Sequence, residues 1–508
     1  MPRVLIALLF LLSASSSAQD GQIDLSYGSA GFVEGLAEAH PIRLSALAVG
    51  PDDAAVYVGW SGRGETEAFV GRVTPEGHSD APFGADGRVV LDVEGTSETL
   101  RAVAVRADGH LVATGQASPD GAPSSRVLTL QLDGAGRVVA QSLIDLGEAA
   151  RGEGVALSAR GAYIAVSLLD SQTCGVLRLD VNGALDATFG TDGLVVLPVG
   201  SPCEVADLVR TESGVAVLGT LDQDTGVVFV AQLTPDGRLD AAFGEDGVAT
   251  RSFDSSRNKA SSLAVGPGGD LIVGGLSQKG SAVGPLLLRF KSSGEPVASF
   301  GYEGLYWSAD APEDGRYAEP PGVAVLSDGR VVFATTTSPT LRLTVGGVTP
   351  TGERDRSFGT DGFTTATEQV SPYSYGRAIA VDSQGRLIAG GEAIVEGTRH
   401  RLVLSRLTSS AAVSSSDAAP VETGVRMRIA PNPTVSRARV RTVLDQPADV
   451  HASVIDSLGR EVARLHDGAA PSGELALEWD ASGAAPGLYV VRLLVDGRPS
   501  VQTLTVAR

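Results

Sequence analysis

Asp86, Asp192, Asp246 and Asp361, with Glu303 in the same place, recur at one position of a repeated phrase and are the first candidates for chemistry. Converging carboxylates bind calcium, but a calcium loop gathers about six to eight oxygens from closely spaced side chains. No stretch here supplies the D-x-[DN]-x-[DN]-G…E order; residues 310–319 come nearest, and Pro312 stands where a ligand would be needed. Each of these acids precedes a glycine, so they read as turn residues that bond local backbone. The histidines, His40, His78, His110, His400, His451 and His466, are scattered, with no H-E-x-x-H and no C-x-x-C to form a zinc site. Gly59-Trp60-Ser61-Gly62 lacks the final glycine of a nucleophile elbow. No glycine-rich loop follows a strand and opens a helix to hold phosphate. The residues therefore assign no catalytic group, no metal and no cofactor. Paired carboxylates of the kind that cleave glycosides have no assignable position among 60 acidic residues.

Two cysteines, Cys174 and Cys203, fall at strand starts in neighbouring repeat units, and in an oxidising compartment they are expected to form a bridge. Trp60, Trp307, Tyr373 and Tyr375 vary between units, as aromatics of a ligand face would; packing at the rim is the competing reading.

The elements that position these residues are set by the repeat itself. Phe83-Gly84-Ala85-Asp86-Gly87 returns at Phe189, Phe243, Phe300 and Phe358, with a decayed copy at Tyr27-Gly28-Ser29-Ala30-Gly31. Intervals of about 55 residues, six in all, separate Tyr27 from Phe358, a period of propellers and solenoids. Between the phrases stand short apolar runs joined by Asp-Gly turns, such as Ala102-Val103-Ala104-Val105, Asp108-Gly109, Leu111-Val112-Ala113, which are hairpin signals. Four short strands per unit predict propeller blades. Counting a worn copy near Ser142, the phrases predict seven. The N-terminal copy has no third strand before it, and the last unit stops after its third strand, so the first piece is expected to complete the last blade and close the ring. A repeated Phe at one place in each unit reads as packing between blades.

This pattern, over residues 24–407, resembles the delta-60 repeat family of exported bacterial proteins. It rests on Phe-Gly-x-x-Gly, on the preceding Leu185-Asp186 and Leu239-Asp240, and on the Ala-x-Ala-Val…Asp-Gly hairpin. The resemblance implies a β-propeller and transfers no catalytic residue.

A formal charge of −20 and a pI near 4.7 argue against nucleic acid or an anionic membrane surface as partner. The 40 basic residues include lysine only at Lys259, Lys279 and Lys291. Arg3, the apolar run at 4–12 and Ser16-Ser17-Ala18 read as a cleaved signal peptide over 1–18. No later run reaches membrane-spanning length, so the mature chain is expected to have no transmembrane segment.

After a Ser/Ala-rich linker over 409–425, residues 426–508 read as a small Ig-like β-sandwich of short strands. Pro431-Asn432-Pro433, the segment through Gly459, Pro486-Gly487-Leu488-Tyr489 and the closing strand resemble the type A sorting domain of the type IX secretion system. That resemblance implies recognition by the type IX machinery and delivery to the outer-membrane surface or the medium. The sequence thus predicts an all-β chain: signal peptide, seven-bladed β-propeller over 19–408, linker and sorting domain. It predicts a scaffold that binds an extracellular glycan or protein. The alternative is an extracellular hydrolase or lyase acting on polysaccharide, with carboxylates at the propeller channel.

Overall fold

The computed structural model describes residues 20–38, 41–63, 65–93, 95–119, 125–221, 226–252, 256–280, 282–307, 321–337, 341–367, 371, 373–395, 399–409, 428–430, 434, 436–444, 448–456, 460–485, 487–495 and 498–507. Every regular element among them is a β-strand. The expected signal peptide, 1–18, and residues 410–425 of the expected linker lie outside them. The chain divides into two compact units, 1–419 and 420–508.

In the first unit the described strands form seven four-stranded antiparallel sheets. Sheet I comprises Ile42–Val49, Ala55–Arg63, Glu65–Val73 and Arg88–Leu91. Sheets II to VI follow over 96–144, 150–196, 203–251, 256–307 and 322–365. Sheet VII takes three strands from 373–407 and its fourth, Phe32–Glu38, from the other end of the chain. The first strands of successive sheets pack on one another all the way round, and that of VII returns to that of I. They therefore line the axis of a closed β-propeller ring, which buries sheet edges that would otherwise invite pairing.

Sequence repeat and sheet are offset by one strand. The short run after each Phe-Gly phrase, such as Leu194–Val196, is the outer strand of the preceding sheet. The worn copy near Ser142 has no phrase turn at all, because Val138–Ile144 continues directly from the Asp133–Arg137 turn as the fourth strand, with one bulge at its start.

The phrase is a clasp between sheets. Its first glycine, its acid and its last glycine all adopt left-handed backbone: Gly84 at φ 58°, Asp86 at 52° and Gly87 at 87°, and likewise at Asp192, Asp246, Glu303 and Asp361. Short acidic residues tolerate this region and glycine is at home in it, which is why these residue types recur. The resulting turn frees the N–H of the first glycine to donate to a carbonyl of the next sheet's third-to-fourth turn. Gly84 donates to Ala135, Gly244 to Ser293 and Gly301 to Thr351, at 2.9, 2.8 and 2.7 Å. The buried ring covers the glycine of that same turn. A Cβ on Gly136, Gly237, Gly294 or Gly352 would come within 2.8 to 3.2 Å of the rings of Phe83, Phe189, Phe243 and Phe300.

Ring closure uses the same contacts across a break in the chain. Gly359 donates to Asp20 and Phe358 packs on Gly21, while Gly28 donates to Glu76 and Tyr27 packs on Gly77. Gly21 bonds Thr408, and Thr408 bonds Gln22, reproducing the pattern that Thr74, Gly77 and His78 make within one turn.

A second clasp lies beside the first. Arg178, 1% exposed at its side chain, stacks over Phe189, binds Asp186 and Thr188, and reaches the carbonyl of Pro235 in the next sheet. Arg406 repeats this on Tyr27, Asp24 and Pro75, and Arg289 reaches Pro350 at 2.8 Å. The Thr188 hydroxyl and amide, together with Arg178, hold the Asp186 carboxyl below its ordinary range. A guanidinium sandwiched between ring and carboxylate is the group that can satisfy both at once.

The second unit packs a three-stranded sheet (Arg428–Ala430, Arg437–Leu444, Gly473–Asp480) against a four-stranded one (Glu461–Ala470, Ala448–Asp456, Gly487–Val495, Arg498–Val506). Ile429, Val440 and Trp479 from one sheet meet Val454, Tyr489, Val491 and Leu504 from the other in a shared core.

Gly77 and Gly109 give a matched test of the clasp. Both have positive φ, 86° and 83°, but a methyl on Gly77 would lie 2.4 Å from the Gly28 amide, whereas nothing lies within 4 Å of one on Gly109. Gly109→Ala is expected to cost about 1 kcal/mol from backbone strain alone. Gly77→Ala should cost roughly 1–3 kcal/mol more by overpacking the closure, as read by urea unfolding.

Candidate functional site

Antiparallel meanders put the two ends of the ring to different uses. First and third strands start, and second and fourth strands finish, at one end, here the loop end. The Asp-Gly hairpins and Phe-Gly turns occupy the other, the motif end. Trp60 at the close of a second strand, Trp307 at the close of a fourth, and Tyr373 and Tyr375 at the opening of a first all belong to the loop end. Trp60 and the two tyrosines stand on the adjacent sheets I and VII, and Trp307 stands on sheet V. Tyr373 is 50% exposed, while Trp307 is partly buried and its indole N–H donates to Ser277 O at 3.3 Å. Cys174 and Cys203 open strands of sheets III and IV at the same end and are joined by a disulfide, with Cα atoms 5.7 Å apart.

At the axis the sequence reading missed a charged arc. Six of the seven first strands carry a β-bulge, at Ser45, Arg101, Glu153, Ala206, Ser261 and Arg377. A bulge re-aims the side chain at the extra residue and leaves ladder groups to be satisfied elsewhere. The amides of Leu44, Ala260 and Gly376, each just before a bulge, donate to Glu392, Thr220 and Thr336 of the preceding sheet, at 3.1, 3.0 and 3.1 Å.

Around the bulges of sheets II to V, opposite charges alternate. Arg101 lies 3.3 Å from Glu153, Arg151 binds both Glu153 and Glu204, and Lys259 lies 3.5 Å from Glu204. Arg377 pairs with the buried Glu392 at 2.9 Å. Burial pushes the Glu153 carboxyl up, against the pull of Arg101 and Arg151. Chemically, the arc can bind charged or strongly polar groups. Its two carboxylates share Arg151, which suits holding a ligand better than passing a proton.

Among the described residues, no group of three or more His, Cys, Asp or Glu side chains is placed to hold a metal ion. No helix among them is long and apolar enough to cross a membrane. Of the C-terminal motif, Pro431, Asn432, Pro433, Gly459 and Pro486 lie outside the described residues. Gly487 opens a strand, and Tyr489 packs on Trp479 with ring centroids 5.1 Å apart while its hydroxyl donates to Ala485 O.

No protein-family model matches this chain, and no curated protein matches it. Solved structures of similar shape include the polysaccharide lyase Uly1, at 12% identity over 78% of this chain and 94% of that one, with a TM-score of 0.41. The β-propeller domain of Cps50 (Swd1) from Myceliophteria thermophila is 13% identical over 72% and 99%, TM-score 0.38. The β-propeller domain of Nup133 from Vanderwaltozyma polyspora is 7% identical over 69% and 91%, TM-score 0.37. At these identities and scores, nothing about ligand or partner passes from them to this chain.

Removing the shared cation separates the arc's buried part from its exposed part. Arg151→Ala leaves Glu153 and Glu204 without their common partner and is expected to cost about 2 kcal/mol in urea unfolding. Lys259→Ala, at a side chain 59% exposed, should cost under about 1 kcal/mol.

Proposed function

We propose that this is an exported, seven-bladed β-propeller that acts as a non-enzymatic binding scaffold at the cell surface or in the medium. Its partner is a glycan or a protein, held by the loop end. The observation that carries the reading is the division of the ring. The recurrent residues are spent on clasps at the motif end, whereas the divergent aromatics lie at the loop end and the charges lie on the axial strands that open from it. Binding surfaces are commonly built this way, from variable loops on a rigid frame.

The C-terminal unit is the sorting module in this reading, an Ig-like sandwich presented to the type IX machinery, with residues 1–18 serving the inner membrane. The ordered phrases from Pro431 to Arg508 support it. A polysaccharide hydrolase or lyase is the second reading, favoured by the raised carboxyl of Glu153 beside Glu204. The hold of Arg151 on both carboxylates places binding ahead of it.

Deleting residues 426–508 is expected to leave the protein in the periplasm, by fractionation and immunoblotting; unchanged arrival at the surface contradicts the sorting role. For binding, the purified protein is tested against surface polysaccharide and envelope-protein fractions. Arg101→Ala with Lys259→Ala should weaken retention at least about tenfold, or about 1.4 kcal/mol. Arg238→Ala, exposed at the motif end, should leave it unchanged. Turnover of a polysaccharide that Glu153→Gln abolishes would establish the hydrolase or lyase reading instead.

A further inference from the structure

The repeat supplies its own control for a site that no repeat needs. At the third position of the phrase the copies carry Ser29, Ala85, Thr191, Glu245 and Thr360, but sheet V carries Tyr302. In the outer strand that follows, Val33, Val89, Val195, Ala249 and Thr364 correspond to Tyr306, and the next position holds Trp307 where the others hold no aromatic. Three aromatics within six residues thus break the pattern in one sheet.

They line an open groove of about 550 Å³ on the outer rim, completed by Gly301 and Leu305 and, from sheet VI, by Gly352 and Glu353. The volume falls in the range of small-ligand sites, roughly 300–1,000 Å³. Tyr302 is 79% exposed, an unusual cost for a large ring that packing does not require. Tyr306 is buried against Phe333, with centroids 6.0 Å apart, and forms a fixed floor. Trp307 is held through its indole N–H. Glu353 is exposed and, among the described residues, makes no ion pair.

We propose that this rim groove, on the outer edge of sheet V and away from the axial charges, binds a neutral saccharide independently of what the axial arc binds. Pyranose rings present C–H faces that stack on aromatic rings and hydroxyls that donate to a carboxylate; Tyr302 and Glu353 supply these two partners across the sheet V–VI seam. A peptide adding as a strand fits less well, because the outer strand Leu305–Trp307 offers three residues of edge. An acidic sugar is disfavoured by Glu353 and by the net charge of −20.

The test is calorimetric titration of the full mature protein with tetrasaccharides of β-1,4-glucan, xylan, mannan and α-1,4-glucan, and with tetragalacturonate as the acidic counterpart. At least one neutral tetrasaccharide is expected to bind. Tyr302→Ala should weaken it at least about tenfold and Glu353→Gln about fivefold, while Tyr373→Ala at the loop end leaves it unchanged. Tyr302 is exposed, so its loss should leave the unfolding midpoint in place and any loss of binding assignable. No binding by any neutral sugar at millimolar concentration overturns the proposal. So does binding that survives both rim substitutions, or a preference for tetragalacturonate.

Discussion

The structure of the first unit depends on one contact, made at six of its seven joints: a buried ring laid over the glycine of the next sheet's turn, with a backbone N–H donated beside it at five of them. Each propeller sheet is a thin, twisted layer that cannot bury both faces alone. Packing at the axis brings the sheets together, but flat apolar faces can slide past one another. The clasp removes that freedom because a ring, a glycine and a directional hydrogen bond must coincide. Arg178 and Arg406 add a second lock, in which a buried guanidinium is satisfied by stacking, a carboxylate and a carbonyl of the neighbouring sheet. A buried cation with fewer partners would be a liability.

Closure extends this logic to the chain ends. The N-terminal segment contributes Asp20 and Gly21 to receive the clasp of sheet VI, and Tyr27 and Gly28 to make the clasp on sheet I. Two of the ring's joints therefore pass through one short segment, far in sequence from the strand it completes. Where the phrase is missing, between sheets II and III, Gly183 faces Gln131 and Ala140 instead of a ring. That joint lies next to the one spanned by the Cys174–Cys203 bridge between sheets III and IV. The recurrent residues are committed to these joints, which leaves the divergent ones free for recognition.

Much of this was legible in the sequence. The period, the Asp-Gly hairpins and the orphan copy at Tyr27 fix strand number and order, since they depend on local turn chemistry. The acid of the phrase was readable as a turn residue because a left-handed position before glycine favours Asp. The arginine lock was not readable: its position holds Arg72, Gln131, Arg178, Gln232, Arg289, Gly347 and Arg406, too varied to stand out. The axial arc was hidden for another reason. Arg101, Glu153 and Arg377 occupy bulges, and a bulge breaks the alternation by which a strand's faces are read. Tyr302 was masked by the phrase itself, as an unremarked variable position between two invariant glycines. Comparing the copies with one another, rather than with a consensus, is the signal that would have found it.

The N-terminal segment is an integral part of the ring, built in through the same clasp contacts as the sheets it joins. Amide hydrogen exchange of residues 20–38 is the measurement that decides this. Gly21, Gly28 and the strand Phe32–Glu38 are expected to exchange as slowly as the third strands of the other sheets, in the regime of global unfolding. Exchange of this segment at the rate of surface loops, while the other sheets remain protected, would contradict it.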